Sequence, residues 1–72
     1  MELMEIKQEG PIGREAAAAW LRDLADSLAR HNDVEFVREG LRYTIAVPSV
    51  INLEVELEVE DDETKLEIEL SW

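Results

Sequence analysis

Apolar and polar residues alternate without a break from Ile51 to Glu60 and again from Leu66 to Trp72. A period of two belongs to a β-strand with one buried face. Ile51, Leu53, Val55, Leu57 and Val59 fall on one side of the first run, and Asn52, Glu54, Glu56, Glu58 and Glu60 on the other. In the second run Leu66, Ile68, Leu70 and Trp72 share the apolar side, with Glu67, Glu69 and Ser71 opposite. The two runs predict a terminal hairpin turning at Asp61 to Thr64. Placing both apolar sets on one face sets Lys65 against Glu60, Glu67 against Glu58, Glu69 against Glu56 and Trp72 against Leu53. Trp72 is then expected to be largely buried.

Upstream, Leu3 to Gln8 reads as a short first strand with Met4 and Ile6 on one face. Gly10-Pro11-Ile12-Gly13 breaks any regular element and predicts a loop. Arg14 to His31 changes period. Ala17, Trp20, Leu21, Leu24 and Leu28 recur at three- and four-residue spacings and form one helical apolar stripe. Arg22 and Asp26, like Asp26 and Arg30, are four apart and suited to pairing. Gly13 stands at the N-cap, and Asn32 can adopt the left-handed conformation that ends a helix. Val34–Arg38 and Leu41–Val47 then predict a hairpin about Glu39-Gly40, with Phe36 facing Tyr43 and Val34 facing Ile45. Pro48 cannot donate to a ladder and separates this hairpin from the last.

These elements predict an α+β fold, β-α-β-β-β-β, in one domain spanning 1–72. One helix packs on one face of a largely antiparallel sheet. Five strands span roughly 19–24 Å, whereas a helix covers only about 10–12 Å. The leftover apolar width predicts a homodimer unless the sheet curls around the helix.

Composition narrows the classes of function. Eighteen acidic residues against seven basic give a net charge of −11. Residues 51–70 hold nine acids and only Lys65 as a cation, and so carry eight of those eleven charges. Nucleic acid and anionic membrane are not expected as partners, because both need a basic face. The 46% apolar content and regular alternation argue for folding rather than acidic disorder. No cysteine is present, which excludes disulfides and thiolate metal sites. No run approaches the roughly 20 apolar residues of a membrane span. MELMEIKQEG is acidic and lacks the apolar core of a signal peptide, and the absence of cysteine favours the cytoplasm as the expected setting.

Candidate chemistry is sparse. His31, the single histidine, lies where a helix C-terminus favours a cation, and reads as a surface or capping residue. Ser27, Ser49 and Ser71 have no base and orienting group beside them in sequence. Trp20 and Trp72 could make a binding patch, but each sits on its element's apolar side and reads as a core anchor. Asp61-Asp62-Glu63 offers hard oxygen ligands without the spacing or central glycine of a calcium loop, and reads as a solvated turn. No catalytic, cofactor or metal residue is assigned. The glutamate row is the one feature in excess of structural need, because like charges facing each other destabilise a sheet. Glu54, Glu56, Glu58, Glu67 and Glu69 are therefore the candidate interaction face. Solubility and protection against edge aggregation account for the same row without a partner.

The helix REAAAAWLRDLADSLA, the phrase YTIAVP and the closing ELEVELEVE and KLEIELSW together resemble the small bacterial and archaeal amphi-Trp domain, whose amphipathic last strand ends in tryptophan, here Trp72. The resemblance covers nearly the whole chain and departs at Gly13, where a Ser or Thr cap is expected. It implies the fold, no enzyme activity, and neither ligand nor catalytic residue.

The expected function is that of a non-catalytic interaction or structural module with an acidic sheet face, needing no cofactor and binding a protein partner whose identity is open, a basic protein among the candidates. Two alternatives are an acidic decoy or docking module for a nucleic-acid-binding protein, and a cation-binding domain. Same-face glutamates recur about every 6.8 Å, near a phosphate spacing.

Overall fold

A computed structural model describes all 72 residues. The element order is α1 (Arg14–Asp26), which continues as a π-helical turn over Ser27–His31, then β1 (Asp33–Arg38), β2 (Leu41–Ala46), β3 (Asn52–Val59) and β4 (Thr64–Ser71). The protein is α+β, and both of its strand ladders are antiparallel.

The helix begins where the Gly10–Gly13 breaker ends. Gly13 is extended at φ −66°, ψ 144° and caps without a side-chain hydrogen bond, since it has none to offer. Its carbonyl accepts the Ala17 N–H at 2.9 Å, the first turn of the helix. Glu15 in the first turn and Arg30 and His31 in the last suit the helix dipole. At the end of α1 the Ser27 N–H is shared between the Asp23 and Leu24 carbonyls, and the helix then widens into the π turn over Ser27–His31. Asn32 then enters the left-handed region (φ 56°, ψ 36°) and stops it. The Asn32 carbonyl also accepts the Val47 N–H at 2.8 Å, which ties the helix end to the end of the first hairpin.

The β1–β2 hairpin has the register expected from its sequence: Val34 faces Ile45, Phe36 faces Tyr43 and Arg38 faces Leu41. Glu39 (φ 53°) and Gly40 (φ 77°) both take positive φ, the primed turn that matches strand twist. Leu24, Leu28, Val34, Phe36 and Tyr43 are half-buried, and the π turn that carries Leu28 packs against β1.

Three expectations are corrected. Leu3–Gln8 pairs with no strand, and Ile6, Lys7 and Gln8 instead line a cleft with Trp20 and Leu21 of the helix, so four strands form rather than five. Those four make two separate two-stranded sheets, β1–β2 and β3–β4, rather than one. The last hairpin closes over Glu60–Glu63, where the Glu60 N–H donates to the Glu63 carbonyl at 2.8 Å, so that Val59 faces Thr64. This register lies two residues from the expected one. β-branched Thr64 is better accommodated in a strand than in a turn, and a shift of two leaves every side chain on its original face. Leu53 consequently faces Leu70, and Trp72 lies beyond the ladder and is half exposed rather than buried.

Candidate interaction face

Alternation along β3 and β4 sorts the terminal hairpin into two unlike faces. On one, Glu54 faces Glu69, Glu56 faces Glu67 and Glu58 faces Lys65. All five glutamates singled out from the sequence are thus brought together on a single exposed face. The individual pairings differ from expectation because of the register: Glu67 opposes Glu56 rather than Glu58, and Glu69 opposes Glu54 rather than Glu56. Two glutamate pairs stand directly opposed in either register, so repulsion does not choose between them.

Lys65 is the one cation on this face. Its Nζ lies 2.9 Å from Glu67 Oε1, two residues along the same strand, rather than bonding its cross-strand neighbour Glu58. That hydrogen bond, then the Glu67 charge, raises the Lys65 pKa above its ordinary 10.5, with Glu63 and Glu56 adding smaller attractions against a little desolvation. The lysine is held in its charged form by the acids around it, yet it answers only one of them directly. Two shallow grooves flank the row. One of about 220 Å³ is lined by Glu58, Glu60, Glu63 and Lys65. The other, of about 410 Å³, is lined by Asn52, Leu53, Glu54, Glu69 and Ser71.

No three acidic or histidine side chains converge on a point that could hold a metal ion, the Asp61-Asp62-Glu63 turn included. Ser27 lies in the π turn, Ser49 between the hairpins and Ser71 at the end of β4, on three separate elements. Of the two helix pairs expected, Arg30–Asp26 forms, Nε to Oδ1 at 3.0 Å. Arg22 makes no ion pair. Arg42 bonds Glu35 across the first hairpin at 3.0 Å.

One feature escaped the sequence reading. A cleft of about 710 Å³ opens between the N-terminal arm and the helix, walled by Ile6, Ile12, Ala17, Trp20, Leu21 and Phe36. The signal was present in the Gly10–Gly13 breaker, which turns the arm back beside the helix, and in Trp20 on the apolar stripe. Reading Leu3–Gln8 as a strand concealed it. No helix is long and apolar enough to cross a membrane.

No curated protein and no solved structure matches the chain. The model of the Amphi-Trp domain matches residues 1–72, the whole chain, helix and acidic terminal hairpin together, and the protein belongs to the Amphi-Trp domain family.

Proposed function

We propose that the protein is a non-catalytic, cytoplasmic interaction module that docks a basic protein segment on the glutamate face of its terminal hairpin. The observation that carries this reading is the pair of directly opposed glutamates, Glu54–Glu69 and Glu56–Glu67, on an open surface whose single cation is already bonded to Glu67. Facing like charges cost the hairpin about 0.2–1 kcal/mol per pair. A cationic partner would remove that cost and add its own attractions. Same-face glutamates lie about 6.8 Å apart along a strand. An extended peptide with Lys or Arg at alternate positions has the same repeat and would meet them one for one. A cytoplasmic setting agrees with a small domain that uses no disulfide.

The test is a titration with an alternating Lys-Thr peptide against a peptide of equal charge with its lysines in one block. Preferred binding of the alternating peptide, weakening with salt and lost in a Glu54→Lys/Glu56→Lys variant, supports docking. Equal binding of both peptides reduces the face to a general acidic surface, the decoy reading. Saturable binding of calcium or magnesium with no peptide binding selects the cation-binding alternative.

A further inference from the structure

We propose that the apolar face of the β3–β4 hairpin, opposite the glutamate row, is covered by a second copy of this chain, and that the folded unit is an obligate dimer. Leu53, Val55, Leu57, Val59, Leu66 and Ile68 share that face and are each 54–70% exposed, and Trp72 at its end is 50% exposed. None of the 72 residues is buried in the single chain. The hairpin packs broadly on nothing else: β3 is in extended contact with β4, β1 with β2, and the π turn with α1 and β1. An isolated two-stranded hairpin is marginal in water, and becomes stable when its apolar face is covered.

The exposed area of the whole chain is of the size that a second copy would cover. A folded monomer of 8.3 kDa exposes roughly 4,600 Å², whereas this chain exposes 6808 Å². The radius of gyration tells the same story: 14.2 Å against roughly 11 Å for a compact domain of this length. The excess is roughly 2,200 Å² per chain, or roughly 4,400 Å² for a pair, within the range of about 2,000–5,000 Å² of obligate homodimers. A second copy also brings complementary surface. Each chain carries the hairpin face and, between its N-terminal arm and its helix, the open apolar cleft at Trp20 and Leu21. The glutamate rows stay outward in the pair, because they occupy the opposite side of the same strands. This assembly neither requires nor is required by the docking reading.

Light scattering on the purified chain at micromolar concentration tests it, with Ile68→Glu on the apolar face and Glu54→Lys on the acidic face. The wild type and Glu54→Lys are expected at twice the 8.3 kDa chain mass. Ile68→Glu is expected at the mass of one chain with loss of strand circular dichroism, as an obligate dimer requires. A wild type that remains a single chain and folded overturns the proposal. So does a dimer that Ile68→Glu leaves intact, because the interface would then lie elsewhere.

Discussion

Glu56 stands directly opposite Glu67 across the β3–β4 ladder, and the nearest cation, Lys65, reaches along its own strand to Glu67 rather than across to Glu58. Replacing Glu56 with lysine turns a repulsive pair into an attractive one, and gives Glu67 a second cation beside Lys65. Glu56→Lys is expected to stabilise the protein by about 0.2–1 kcal/mol, read as a higher unfolding midpoint in urea. Added salt should raise the wild-type midpoint by screening the facing acids and raise that of the variant less. A midpoint lowered by both changes would mean that these carboxylates do not face one another.

The raised pKa of Lys65 has a defined pH signature. A lysine whose folded pKa lies above its unfolded value contributes stability that is fully present below the unfolded value. That contribution is lost as pH rises through the folded one. The wild type should therefore exceed Lys65→Gln in stability at neutral pH and up to about pH 10. The difference should fade in more alkaline solution as the ammonium loses its proton. An NMR titration of the Lys65 side chain placing its midpoint at or below 10.5 would contradict the bond to Glu67.

Glu39 holds a left-handed conformation (φ 53°) that its side chain disfavours, a cost of roughly 1–2 kcal/mol for a non-glycine residue. Glu39→Gly, or Glu39→Asn at the same turn position, should recover up to about 1 kcal/mol, because both residues visit this region readily. The gain should be seen in thermal unfolding with unchanged strand content. A loss of stability would show that the Glu39 side chain contributes more than the turn conformation costs.

Asn32 carries a second left-handed residue (φ 56°) at the point where the helix stops and its carbonyl receives the Val47 N–H. Asn32→Gly should be tolerated. Asn32→Val should destabilise by about 1–2 kcal/mol, since a β-branched side chain resists this conformation. Hydrogen exchange at the Val47 amide is the direct readout, and protection there should fall in the valine variant. Equal protection in both variants would separate the helix stop from the hairpin tie.

Much of this protein is legible in local sequence. The helix runs over the predicted Arg14–His31 because its apolar stripe, its alanines and the flanking Gly13 and Asn32 all agree. The first hairpin has its predicted register because Glu39-Gly40 admits one tight turn. The gathering of Glu54, Glu56, Glu58, Glu67 and Glu69 on one face was equally readable, because alternation survives any shift by two. That same invariance hid the pairing: a shift by two exchanges every cross-strand neighbour while leaving the pattern unchanged. The choice fell to the four-residue loop Glu60–Glu63 and to Thr64 entering the strand. Which strands pair across the chain is not encoded in alternation, so the unpaired Leu3–Gln8 and the separation of the hairpins into two sheets were not readable, and the exposure of Trp72 follows from the register that leaves it beyond the ladder. Local alternation determines which side of a strand is apolar. Whether the surface that covers it comes from the same chain is decided only by tertiary structure.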